Sequence, residues 1–121
     1  LVVENKNVPF LEVLALQDQV SVNIILESKS EISPFLPGKF PHCVAANRPL
    51  IVLSPYYSET RRLLGNDYPY WSEADDENKI FLLIEQLYLA WKNKELNELN
   101  RLDLETYLSI SNLKSTLNEL L

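Results

Sequence analysis

Ser33-Pro34-Phe35-Leu36-Pro37-Gly38-Lys39-Phe40, continuing through Ala45-Ala46-Asn47-Arg48-Pro49 into Leu50-Ile51-Val52-Leu53, carries the reading of the whole chain. Upstream, Val20, Val22 and Ile24 alternate and then pass into the continuous run Ile24-Ile25-Leu26, while Leu50 to Leu53 is apolar throughout. Both predict strands covered on both faces, the habit of parallel sheets. Two prolines and Gly38 shape a loop between them, and Gly38 to Ala46 is just long enough for a helix. Asparagine is the commonest substitute for glycine where the backbone turns left-handed, so Asn47 ends that helix and Pro49 prevents its continuation. Strand, helix and strand joined by short connections predict parallel strands and a right-handed crossover, hence an α/β fold.

The flanks extend this pattern. Leu1 to Val3 reads as the end of a strand, and Pro9 as the first residue of a helix to Gln17 with Phe10, Leu11 and Leu14 on its apolar face. Ser58 to Leu64 reads as a short helix with Ser58 as cap and Gly65 as stop. Tyr68-Pro69-Tyr70-Trp71 reads as a loop or a short edge strand, because proline is unwelcome in a central one. A long helix is predicted from Ser72, with Asp75, Asp76 and Glu77 near its start and Lys92 and Lys94 at its end, matching the helix dipole. Its positions Ile80, Ile84, Leu87, Tyr88 and Trp91 form the face expected to pack on the sheet. From Glu95 the chain turns polar until a final helix capped by Ser111, with Leu113, Leu117, Leu120 and Leu121 on one side. Residues 1–94 thus read as one sheet-bearing unit and 95–121 as a C-terminal linker and helix.

The length of 121 residues fits a single domain. Leu1 opens a chain without methionine, which reads as a piece of a longer protein. A lone cysteine, Cys43, excludes an intrachain disulfide and reads as a buried spectator thiol. With no export signal and no apolar run long enough to span a bilayer, the expectation is a cytoplasmic location, or a peripheral one at a membrane. A net charge of −6 argues against nucleic acid as a partner. Yet between Lys29 and Arg62 the basic residues Lys29, Lys39, Arg48, Arg61 and Arg62 face only Glu31 and Glu59, a locally positive middle that suits a small polyanion.

Ligands of open α/β sheets bind outside the carboxyl ends of the strands. The loop after Leu26 brings Ser33 and Lys39 and the backbone N–H groups of Gly38, Lys39 and Phe40; the loop after Leu53 brings Ser58 and Glu59. A lysine at a helix start is unfavourable for the helix dipole unless an anion is present, so Lys39 is the leading candidate to hold a phosphate or diphosphate. His42, one turn on, can hydrogen-bond a ribose or sugar hydroxyl, or be structural. Glu59 can accept from hydroxyls or simply complement its helix. Arg61 and Arg62 read as surface residues rather than ligands, and Tyr56, Tyr57, Tyr68, Tyr70 and Trp71 as packing at a sheet edge. No glycine-rich phosphate loop and no His/Cys cluster of metal spacing is present, and no nucleophile, base and orienter are assembled, so no catalytic residue, metal or cofactor is assigned.

The run Pro37-Gly38-Lys39-Phe40-Pro41-His42-Cys43-Val44-Ala45-Ala46-Asn47-Arg48-Pro49 resembles the Pro-Ser-Lys, Glu-Tyr, Ala and Gly-Lys-Pro signature of nucleotide-sugar-dependent glycosyltransferases built from two Rossmann-like domains, the GT-B fold. Ser21-Val22-Asn23-Ile24 is similar to the Ala-Asp-Val strand of that group, and Ser58-Glu59 to its Ser/Pro-Glu after the next strand. The resemblance runs over residues 9–92 in the order of that family's C-terminal domain. It implies an incomplete GT-B C-terminal domain: a three-layer, Rossmann-like parallel sheet flanked by helices in residues 1–94. The implied ligand is the nucleotide-sugar donor, held by Ser33, Gly38, Lys39, Phe40, His42, Ser58 and Glu59, with a glycan or lipid-linked acceptor on an N-terminal domain absent from this chain. Lys39 matches the signature lysine. His42 stands where many members hold the ribose with glutamate, and the earlier glutamate of their Glu-seven-residues-Glu pair falls at Pro34.

Two functions follow as expectations. One is the donor-binding part of a glycosyltransferase, inactive alone, in which Lys39 neutralises charge on the leaving nucleoside diphosphate. The other is a non-catalytic α/β interaction module whose loop and helix merely pack. A phosphoryl-transfer enzyme lacks its motifs.

Overall fold

The computed structural model describes residues 1–121. Its elements run α1 (Phe10–Gln19), β1 (Asn23–Leu26), β2 (Ile32–Ser33), α2 (Phe40–Ala46), β3 (Leu50–Leu53), β4 (Tyr57–Ser58), α3 (Glu59–Leu64), β5 (Trp71–Ser72), α4 (Glu77–Lys92), α5 (Leu102–Tyr107) and α6 (Ile110–Leu120). The fold is α/β: a parallel three-stranded sheet ordered β1-β3-β5, flanked by helices, with a second parallel pair, β2-β4, beside it. Register places Asn23 against Leu50, Leu26 against Leu53, and Val52 against Trp71. The strand-helix-strand reading of the central stretch therefore holds, and the Tyr68–Trp71 region does supply an edge strand.

Local chemistry sets the boundaries. Asn47 stops α2 in the left-handed conformation at φ 57°. Ser58 caps α3 by accepting the Arg61 N–H at 3.1 Å, and Gly65 ends it at φ 99°, where an added Cβ would lie 2.8 Å from Asp67 Oδ1. Pro9 is the cap of α1 rather than its first helical residue.

Ile25, Phe40, Cys43, Val44, Leu50, Val52, Leu64 and Leu104 form one buried cluster between the sheet and α2, α3 and α5. Burying each large side chain contributes about 1.5–3 kcal/mol. Residues expected as a linker take part: Leu104 is in the core, the Leu99 N–H donates to the Asn47 carbonyl, and Arg101 donates to the Leu63 and Leu64 carbonyls that end α3.

Several expectations need correction. Leu1–Val3 is not a strand. The strand predicted from Val20 begins at Asn23, and it is not covered on both faces: Ile25 is fully buried, whereas Ile24 and Leu26 are exposed. Alternating side chains point to opposite faces, and α1 packs on α2 instead of over β1. Ser72 closes β5; the long helix starts at Glu77 with Asp76 accepting the Lys79 N–H, and Asp75 pairs with Lys29. Its inner face holds Leu83 and Leu87, while Ile84, Tyr88 and Trp91 are half exposed. Phe81, Leu82 and Leu89 make this helix apolar nearly all round, so spacing alone left its rotation undetermined. The final segment holds two helices, the second capped by Ser109 rather than Ser111. No helix is long and apolar enough to cross a membrane.

Candidate functional site

The loops that leave the carboxyl ends of β1 and β3 converge. Each contributes a two-residue strand, and these pair as Ile32 with Tyr57 and Ser33 with Ser58. That ladder is the floor of a cleft of about 500 Å³ bounded by Pro34, Tyr56, Tyr57, Glu59, Arg61, Arg62 and Asn66. Helix α3 begins directly at the floor, so its first turns carry Glu59, Arg61 and Arg62 to one wall.

Polar contacts hold the floor from behind. Glu27, one residue past β1, continues the core-facing series Asn23, Ile25; it is buried, and its Oε1 accepts the Ser33 hydroxyl proton at 2.6 Å. Buried Ser54, just past β3, accepts the Trp71 indole N–H at 2.9 Å and lies 3.0 Å from Ser58 Oγ. A carboxyl acceptor and an indole donor are strong partners for hydroxyls in a water-poor setting, so Ser33 and Ser54 are held in place.

The wall is fixed as well. The Arg61 guanidinium lies between two rings, 4.1 Å from the Tyr56 centroid and 4.3 Å from that of Trp71, and donates to the Tyr56 carbonyl. Lys79 stands over Trp71 at 4.3 Å. Stacking on both rings aims the guanidinium. Arg62 grips both Glu59 oxygens, at 2.6 and 2.8 Å. The hydrogen bonds from Arg62 hold the Glu59 carboxyl below its ordinary range, and Glu59 raises Arg62 in return. A bound anion therefore meets Arg61 as the less neutralised of the two.

Of the sequence-derived candidates, Ser33, Ser58 and Glu59 come together in this cleft. The others lie elsewhere. Lys39 Nζ donates to the Ile24 carbonyl at 2.8 Å, on the side of β1 turned away from β3. Phe40 is fully buried in the core. Gly38 sits in the exposed turn before α2. His42 faces α1, its ring 5.4 Å from that of Phe10. Arg61 and Arg62, read from sequence as surface residues, are half-buried and exposed, respectively, and also line the wall; the Glu-Thr-Arg-Arg order directly after a capping serine was the available signal, because it starts a helix at the strand end where ligands collect. Cys43 is buried, which pushes its thiol pKa up. No group of three or more His, Cys, Asp or Glu side chains is placed to hold a metal ion.

Comparison with protein-family models, curated proteins and solved structures gave no match to this chain.

Proposed function

We propose that the chain is the donor-binding portion of a GT-B glycosyltransferase, its parallel sheet serving as a Rossmann-like unit that holds a nucleoside diphosphate sugar while the sugar moves to a glycan or lipid acceptor. The observation that carries the reading is the cleft: it lies outside the carboxyl ends of parallel strands, and places serine hydroxyls beside an arginine whose orientation is fixed by two rings. Charge grows on the diphosphate as the sugar leaves, and a preoriented guanidinium offsets it without reorganising. The acceptor belongs to a domain outside this chain, so residues 1–121 would hold the donor without transferring it. A cytoplasmic location, with a peripheral seat at a membrane for a lipid-linked acceptor, goes with the proposal.

A non-catalytic interaction module is the second reading. The exposed side chains Phe81, Ile84, Tyr88 and Trp91 on α4 and the engaged state of Lys39 favour it. Calorimetric titration of UDP, GDP and ADP into the intact protein separates the two. The donor-site reading expects one nucleotide to bind and Arg61→Ala to weaken it about tenfold or more, the loss of one charge-assisted contact. Silence towards all three leaves the interaction module, in which Lys39→Ala alters stability alone.

A further inference from the structure

Of the two serines on the cleft floor, Ser33 has its proton committed away from the cleft. Ser33 donates to Glu27 Oε1, and a carboxylate oxygen can only accept. Ser54 Oγ lies within reach of both the Pro55 carbonyl and Ser58 Oγ, and either serine hydroxyl can supply the proton of the bond between them. Ser58 Oγ also accepts the Arg61 N–H. Half-buried and lining the cleft, the Ser33 hydroxyl thus offers lone pairs to whatever occupies it. Phosphate oxygens bring only lone pairs at neutral pH and are poorly matched to such a floor; hydroxyl and N–H groups are well matched. The diphosphate charge then falls to the arginine wall.

Glu27 is the residue that sets this polarity at Ser33. Its carboxyl is buried, and its second oxygen, Oε2, has no partner. A buried acceptor left unpaired destabilises the fold, so packing alone gives no reason for a carboxylate at the end of β1. We propose that Glu27 is a positioning residue that holds the Ser33 proton away from the cleft, so that the floor receives hydroxyl or N–H donors from the sugar or nucleoside part of the ligand and not its diphosphate. This rests on the donor-site reading.

The test measures binding of UDP, GDP and ADP, of UDP-glucose, GDP-mannose and ADP-glucose, and of inorganic pyrophosphate as competitor, to the intact protein and to Ser33→Ala, Glu27→Leu, Glu27→Gln and the Glu27→Leu/Ser33→Ala pair. The expected result is an approximately tenfold loss in Ser33→Ala, confined to organic ligands, with pyrophosphate competition unchanged. Glu27→Leu shows the same loss and the double variant no more, whereas Glu27→Gln, whose amide oxygen accepts the same proton, binds as wild type. Loss on the free nucleotide assigns the floor to the nucleoside; loss on the nucleotide sugar alone assigns it to the sugar. Should Glu27→Leu not fold, Ser33→Ala and Glu27→Gln still decide. Equal weakening of pyrophosphate, or unchanged binding in Ser33→Ala, overturns the inference while leaving the donor site standing. A wild-type protein that binds none of the probes overturns both.

Discussion

Tyr68 shows how one side chain can complete a sheet. Along β3, the amides of Val52 and Ser54 donate to the carbonyls of Tyr70 and Ser72, but β5 is too short to reach Leu50. The Tyr68 hydroxyl takes its place: it donates to the Leu50 carbonyl at 2.7 Å and accepts the Leu50 N–H at 3.3 Å. Burial, opposed in part by the hydrogen bond to Leu50, pushes the phenol pKa up to about 12 from an ordinary value of 10.0. A group whose pKa rises on folding contributes stability that is intact below the unfolded value and is lost as pH climbs through the folded one. Two pH units correspond to about 3 kcal/mol. Urea unfolding at steps between pH 9 and 12 should therefore show stability falling above pH 10 in the wild type. Tyr68→Phe should be about 1–2 kcal/mol less stable at pH 7, from the lost bonds to Leu50, and should lack the Tyr68 share of the alkaline decline. Parallel pH profiles for the two proteins would show that the phenol is not held as described.

Helix α2 illustrates what a sequence can and cannot announce. Its end is written in Asn47, which supplies the left-handed turn at φ 57° while its side chain accepts the Asn100 N–H at 2.7 Å. Asn47→Ala should lose both effects, about 2–3 kcal/mol, and Asn47→Gly only the second, about 1 kcal/mol, in thermal or urea unfolding. A glycine variant as stable as wild type would mean that the tie to Asn100 contributes nothing. The same local logic made β3, the Ser58 cap and the Gly65 stop legible, because each depends on neighbours within a few residues. Strands β2 and β4 were not legible: two residues carry no periodicity, and each exists only because the other lies beside it. With them went the floor of the cleft, the Glu27–Ser33 bond across the loop and the ring-stacked Arg61, all products of tertiary approach. The loops themselves were legible, since strand ends locate them. Lys39 was legible as a cation at a helix start, but not its reach back to the Ile24 carbonyl.

Taken whole, the chain covers its apolar side chains incompletely. Its accessible surface is 8955 Å² for 14.0 kDa, against about 6,700 Å² from the scaling for compact monomers, and 19 of 121 residues are buried. The excess is unevenly spread: α6 contains no buried residue, and its Leu113, Leu117 and Leu120 are exposed, whereas Leu104 sits in the core and Leu99 packs against it. Two truncations should accordingly behave in opposite ways. Ending the chain at Ser109 removes no buried side chain, so unfolding should stay within the shift of a surface change, about 0.5 kcal/mol. Ending it at Lys94 removes Leu104 from the core, about 2–5 kcal/mol by the cost of an equivalent cavity, together with the Arg101 bonds to the end of α3 and the ties of Asn47 to Leu99 and Asn100. Against a total stability of about 5–15 kcal/mol for a domain of this class, losses of that size should leave the shorter chain unfolded or nearly so. Circular dichroism melts of the two truncations check this directly. A cooperative transition in the shorter chain at the wild-type temperature would show that the core closes without its C-terminal segment, and a large loss in the longer one would show that α6 is packed in solution.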